Sequence, residues 1–85
     1  MNNKYDFKQI GKRIREERTN AQNATGRKKV MTQSDLANEI GVSRQTIAKW
    51  EHGEIDQLLM GDLLKLCNLF GCELGYILGE YNCRT

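Results

Sequence analysis

Residues 32–53 read TQSDLANEIGVSRQTIAKWEHG, and this stretch decides the fold. Thr32 and Asp35 have the spacing of a capping box, in which each side chain bonds the backbone N–H of the other residue at the start of a helix. A helix therefore begins at Thr32. Gly41 ends it, because glycine adopts the left-handed conformation that closes a helix without steric cost.

A second helix follows after a short turn. Ser43 is a favoured N-cap residue, and the helix that it starts stops at Gly53. Ile47 and Trp50 are three residues apart on one face of this helix, so we expect both to point into the core. The stretch thus predicts two short helices joined by a tight turn at residues 41–43.

Two short helices joined in this way are suited to binding duplex DNA. The major groove is wide enough to admit the second helix, and the first helix packs against the second and supports it. Ala37 supplies the small residue needed where the helices touch, and Gly41 supplies the positive φ of the turn. The apolar anchors of the pair are Leu36, Ile40, Val42, Ile47 and Trp50. Because these conditions are met together, residues 33–52 are predicted to be a DNA-reading helix-turn-helix.

A helix is also expected before this stretch, over about residues 6–21. Asp6 is a suitable N-cap, and three apolar residues recur on one face at spacings of three and four, namely Phe7, Ile10 and Ile14. Residues 20–30 are polar and include a glycine, so they predict a loop. This loop ends in the basic cluster Arg27, Lys28 and Lys29.

Two further helices are expected after the stretch. Residues 60–70 carry an apolar stripe formed by Met60, Leu63, Leu64, Cys67 and Phe70. A short helix over about residues 73–78 has as its inward side chains Leu74, Ile77 and Leu78. Residues 80–85 form a tail without a pattern. The chain, residues 1–85, is therefore expected to be one all-α domain of five helices.

The distribution of charge is uneven along the chain. The net charge of +2 combines +6 over residues 1–30, −1 over residues 31–53 and −3 over residues 54–85. A positive pole followed by an acidic end is typical of a protein that binds nucleic acid in one orientation, although solvated helix charge gives the same pattern. The absence of proline and the 39% hydrophobic content agree with a small helical domain.

Several other classes of protein are disfavoured. The opening MNNKYDFKQI lacks the apolar run of a secretory signal, and no stretch has the length of a membrane span, so the cytoplasm, at the nucleoid, is the expected location. The cysteines Cys67, Cys72 and Cys83 form no metal-binding pair, and His52 is the single histidine. We therefore expect no metal, no cofactor, no catalytic residues and no enzymatic activity.

The stretch TQSDLANEIGVSRQTIAKWEHG resembles the Cro/cI-type helix-turn-helix family, also called the Xre family of phage and bacterial repressors. The likeness extends to IGKRIREER, which is similar to the family's first helix, and to LLKLCNLFGCELGYILGE, which is similar to its fourth and fifth. The resemblance implies an all-α, five-helix, lambda-repressor-like DNA-binding domain. This chain departs from the family in the enlarged loop between helices 1 and 2.

The resemblance also implies which residues would read bases. Arg44, Gln45 and Lys49 match the outward positions of the recognition helix, and they occupy the face left over when Ile47 and Trp50 point inward. Arginine can bond guanine O6 and N7 with two nitrogens, and glutamine can bond adenine N6 and N7. These three residues are the predicted base-reading set.

Further residues match positions that contact the DNA backbone. Gln33 matches a glutamine that bonds a phosphate, and Ser43 and Thr46 match phosphate or sugar contacts. Thr32 joins this set because the exposed N–H groups at a helix start favour phosphate. The resemblance further implies a structural ion pair between Arg18 and Glu51.

The function expected from the resemblance is that of a transcriptional repressor on a near-palindromic operator of double-stranded DNA. It implies a homodimer formed through helix 5 and the tail, around Leu74, Tyr76 and Tyr81. Two alternatives remain open. The chain could be the DNA-binding antitoxin of a toxin–antitoxin pair, with an unidentified protein partner, or the N-terminal domain of a longer phage-type repressor.

The basic cluster of the inserted loop generates a prediction of its own. Arg27, Lys28 and Lys29 precede the expected phosphate-binding start of helix 2, so we expect them to add phosphate contacts. Reversing all three charges should flatten the dependence of DNA affinity on salt concentration, because each neutralised phosphate contributes to that slope. An unchanged slope in a salt titration would show instead that the loop is only solvated.

Overall fold

The computed structural model describes residues 6–20, 31–55 and 60–80. Within them lie five α-helices and no strand, namely α1 (Phe7–Asn20), α2 (Gln33–Ile40), α3 (Arg44–Glu51), α4 (Met60–Phe70) and α5 (Leu74–Ile77). This confirms the predicted five-helix, all-α fold. Residues 21–30, where the enlarged loop and its cluster Arg27, Lys28 and Lys29 are predicted, lie outside the described residues, as do residues 81–85 of the predicted tail.

The predicted helix caps are confirmed. The Thr32 hydroxyl accepts a hydrogen bond from the Asp35 N–H, and the Asp35 carboxylate accepts one from the Thr32 N–H, both at 3.0 Å. Gly41 ends α2 with a φ of 89°, in the left-handed region. Ser43 caps α3 by accepting from the Thr46 N–H at 3.1 Å. Local chemistry therefore fixes both ends of the turn between α2 and α3.

All five helices contribute to one core. Each supplies one of the large side chains that are fully shielded from solvent, which are Ile14, Leu36, Ile47, Leu66 and Ile77 in chain order. The other buried apolar residues are Ile10, Met31, Ala37, Ile40, Trp50, Ile55, Leu63, Cys67, Phe70 and Tyr76. Burial of each large apolar side chain contributes about 1.5–3 kcal/mol, and the core is the main source of stability in a chain this short.

The predicted apolar stripes are wrong at three positions. Phe7, Met60 and Leu64 are 41%, 59% and 47% exposed, whereas Leu66 is fully buried. Phe7 is the first residue of α1, and Met60 is the first of α4. The inward face of α4 follows residues 63, 66, 67 and 70, because α1, α2 and α5 all pack on that one side. Leu64 continues the periodic pattern but lies on the uncovered side.

A buried arginine joins the first and last helices. Arg13 is only 6% exposed, and its guanidinium lies 4.1 Å from the centre of the Tyr76 ring and donates to the Tyr76 carbonyl at 3.2 Å. With the Gln9 amide oriented to accept, its oxygen lies 2.9 Å from Arg13 Nε. Tyr76 is therefore part of the core of one chain. This corrects its assignment to a dimer surface, because a side chain covered by its own α1 offers little area to a partner.

Helices α1 and α3 approach each other closely at Gly11. A Cβ atom at this position would lie 2.2 Å from the Trp50 carbonyl oxygen and 3.0 Å from backbone atoms of Glu51. Backbone atoms cannot rotate out of the way as a flexible side chain does. The absence of a side chain at Gly11 therefore allows α1 to lie directly against the end of α3.

Substituting Gly11 with alanine should destabilise the protein by at least about 2 kcal/mol, because the new methyl group must displace the backbone of α3. The matched control is Gly61→Ala in α4, where an added Cβ meets no atom within 4 Å. That change should be neutral or stabilise by up to about 1 kcal/mol through helix propensity. Urea unfolding of both variants measures the difference, and equal stabilities would contradict the proposed contact.

Candidate nucleic-acid interface

The exposed side of α3 carries the three predicted base-reading residues. Ile47 and Trp50 are buried, which orients the helix, and Arg44, Gln45 and Lys49 are exposed on its remaining surface. Two cationic groups and one amide group are thus presented together on one short helix. A surface of this chemistry can donate and accept hydrogen bonds at base edges.

Arg44 is held in place by a side chain of the preceding helix. Its Nη1 donates to Gln33 Oε1 at 3.2 Å, and Gln33 Nε2 in turn donates to Glu51 Oε1 at 3.1 Å. Gln33 is the first residue of α2, and Glu51 is the last residue of α3. A hydrogen-bonded chain therefore runs from the end of α3, through the start of α2, to the first residue of α3.

The structure brings Arg18 and Glu51 together in a two-pronged ion pair. Arg18 Nε lies 2.6 Å from Glu51 Oε2, and Arg18 Nη2 lies 3.1 Å from Glu51 Oε1. Arg18 Nη1 also donates to the Met31 carbonyl at 2.8 Å. The two side chains are only 11% and 4% exposed, so solvent screens this pair less than a surface pair. It fixes α1 against the end of α3 and the segment leading into α2.

The predicted backbone-binding residues lie at the starts of α2 and α3. Thr32 is exposed and Gln33 is half-buried, beside the first free N–H groups of α2. Ser43 and Thr46 face each other at the start of α3, with their hydroxyl oxygens 2.9 Å apart. The N-terminal ends of both helices carry a partial positive charge that favours phosphate.

A polar cavity of about 290 Å³ lies where α1, α2 and α3 meet. Its lining residues are Arg15, Arg18, Gln33, Glu51 and His52. The sequence pattern did not assign Arg15 or His52 to the DNA interface. The spacing of Arg15 and Arg18 carries a signal, because residues three apart on a helix are neighbours and Arg18 was already assigned to the interface with α3.

The described residues offer no metal centre. They contain no group of three or more His, Cys, Asp or Glu side chains placed to hold an ion. Cys67 and Cys72 are thiols that form no disulfide, and burial raises the pKa of Cys67 while a hydrogen bond from the Cys72 side chain acts in the opposite direction. Among the described helices, none is both long enough and apolar enough to cross a membrane.

A bracing helix, a tight glycine turn and a second helix with an exposed polar face together define a helix-turn-helix DNA-binding domain. A family model described as "Helix-turn-helix" matches residues 27–77. The chain belongs to this Xre-type family of DNA-binding transcription regulators. Sequence comparison with curated proteins gives no significant match.

Two solved structures of small regulators share most of the fold. The P22 c2 repressor, crystallised with a synthetic operator, is 28% identical with a TM-score of 0.68, over 85% of this chain and 96% of that one. The restriction-modification controller protein C.AhdI from Aeromonas hydrophila is 25% identical with a TM-score of 0.61, over the same shares of the two chains. Both comparisons support the lambda-repressor-like fold.

The fold also occurs inside a larger enzyme. The hydroxypropylphosphonic acid epoxidase from S. wedmorenis is 20% identical with a TM-score of 0.66, over 89% of this chain. This chain covers only 36% of the epoxidase. At this identity the likeness concerns the fold alone and says nothing about catalysis.

Neutralising Glu51 should strongly destabilise the domain. Glu51→Gln leaves the nearly buried charge of Arg18 without its counter-ion, which costs about 3 kcal/mol in comparable pairs. Glu39→Gln on the exposed side of α2 removes the same charge and should change stability by no more than about 0.5 kcal/mol. Thermal and urea unfolding compare the two variants. Similar losses for both would show that the pair is not structurally important.

Proposed function

We propose that this protein is a sequence-specific, double-stranded DNA-binding repressor that acts as a dimer on a near-palindromic operator. The observation that carries the proposal is the exposed face of α3, where Arg44 is already held by Gln33 beside Gln45 and Lys49. The likeness to the P22 c2 repressor, a structure that contains a synthetic operator, supports the same assignment.

Base reading is assigned to Arg44, Gln45 and Lys49. Arg44 is suited to guanine and Gln45 to adenine, and each well-placed bidentate pair contributes about 1–3 kcal/mol of discrimination against the wrong base. Because Gln33 holds Arg44 before DNA arrives, less side-chain freedom is lost on binding. Lys49 is one turn after Gln45 on the same face and extends the contact along the groove.

Contacts to the DNA backbone are assigned to the starts of α2 and α3. The hydroxyl groups of Thr32, Ser43 and Thr46 and the amide of Gln33 are near free helix N–H groups, where phosphate is favoured. These contacts position α3 in the groove without reading sequence. The Arg27–Lys29 cluster is proposed to add to them from the inserted loop.

A dimer is proposed because one short recognition helix reads too few base pairs for useful specificity. Two copies related by a two-fold axis would read half-sites about one helical turn apart. With Tyr76 buried, the proposed contact rests on Leu74, which is only half-buried, and on the tail around Tyr81.

Selection of bound duplexes from a random pool tests the proposal. We expect an enriched site with two-fold symmetry and a half-site spacing of about one turn. Arg44→Ala should then lose about 1–3 kcal/mol against that site and accept any base at one position of each half-site. Asn38→Ala, an exposed change on α2, is the matched control and should leave the preference intact.

The possible outcomes separate the parts of the proposal. Enrichment of a single, asymmetric half-site would argue against the dimer while leaving DNA reading in place. A pool that is not enriched at all would contradict sequence-specific binding.

A further inference from the structure

We propose that the polar cavity between α1, α2 and α3 seats one phosphate group of the DNA backbone, and that Arg15 is its principal charged ligand. This inference rests on the proposed function and assigns a further contact to it. The cavity measures about 290 Å³ and lies directly beside Gln33, the residue that holds Arg44.

Arg15 is the cavity arginine that can bind an anion, because the charge of Arg18 is already neutralised by Glu51. Three nitrogens of Arg18 donate to Glu51 and to the Met31 carbonyl, and its side chain is 11% exposed. Arg15 is exposed and has no hydrogen bond or ion pair with another residue of the described ranges. The cavity therefore has an arginine whose guanidinium is available for an anion.

Gln33 can contribute to the same phosphate without giving up its present contacts. Its Nε2 carries two hydrogens, of which one is donated to Glu51, and its Oε1 accepts from Arg44. The second hydrogen is available to an oxygen placed in the cavity. An arginine fork and an amide donor from two different helices form a suitable cradle for a phosphate.

This placement links backbone binding to base reading. A phosphate held by Gln33 lies two hydrogen bonds away from the Arg44 guanidinium. A bound phosphate would give the Gln33 amide a third hydrogen bond, in addition to those with Glu51 and Arg44. The more rigid amide would then restrict the orientation of the Arg44 side chain. We therefore assign the cavity to a phosphate next to the bases read by α3, and not to a small effector bound away from the DNA.

The test compares three variants on a mixed-sequence duplex of about two helical turns, because phosphate contacts do not require an operator. Arg15→Gln should lower affinity roughly tenfold and reduce the slope of log affinity against log salt by about 0.9, the share of one phosphate. Lys12→Gln removes the same charge from an exposed α1 position outside the cavity and should change the slope much less. Arg15→Lys should keep the slope.

Folding is checked by thermal unfolding, which should be the same for all three variants and the unchanged chain, because both positions are exposed. A slope that does not change in Arg15→Gln, or that changes equally in Lys12→Gln, would overturn the proposal and indicate diffuse electrostatic attraction. Failure of the unchanged chain to bind any duplex would overturn the proposed function as well.

A second measurement distinguishes the DNA backbone from free phosphate. The side-chain N–H signals of Arg15 and Gln33 are followed by NMR while inorganic phosphate replaces chloride at constant ionic strength. We expect shifts with duplex DNA and none with millimolar phosphate, because one phosphate without the rest of the duplex binds weakly. Saturable binding of free phosphate would instead indicate an effector site if Arg15→Gln also left the slope of log DNA affinity against log salt unchanged. That combination would overturn the proposal.

Discussion

The ion pair between Arg18 and Glu51 is the interaction on which the arrangement of the first three helices depends. Its two hydrogen bonds, together with the bond to the Met31 carbonyl, connect α1, the entry to α2 and the end of α3. Removing two charges from water is costly, and only good geometry and further hydrogen bonds offset that cost. This pair meets both conditions, and the charges can be satisfied together in one arrangement of the helices. The pair therefore specifies how α3 sits relative to α1.

The Glu51 carboxylate is also connected, through Gln33, to a side chain on the exposed face of α3. Glu51 accepts from Gln33, and Gln33 accepts from Arg44, so an interaction that orders the scaffold also orders the side chain to which base reading is proposed. Gly11 makes this possible, since a Cβ there would collide with the α3 backbone and push the helices apart. Arg13 and Tyr76 play the corresponding role on the other side of α1, where they hold α5. The first helix is thus a central support with a polar network on each side.

The likeness to part of an epoxidase shows that this scaffold is not tied to one type of protein. What distinguishes a DNA reader is the chemistry of the surface that the scaffold presents. Here that surface combines two exposed cations and one amide on α3 with two helix starts and a polar cavity. The apolar residues hold α3 in place and leave its polar face to solvent.

The sequence by itself determined the elements. Capping residues, glycines and apolar spacing act over a few neighbouring residues, so Thr32, Gly41 and Ser43 could be assigned without knowing the rest of the molecule. The outward set Arg44, Gln45 and Lys49 followed from the same periodicity.

Tertiary structure decided which candidate face of α4 is covered, burying Leu66 and exposing Leu64, because periodicity cannot say where neighbouring helices pack. It also decided that Tyr76 is internal, that Gly11 is a contact point, and that Arg18 is neutralised by Glu51 while Arg15 has no ion-pair partner among the described residues. Each of these depends on distances between residues far apart in the chain, which local patterns do not encode.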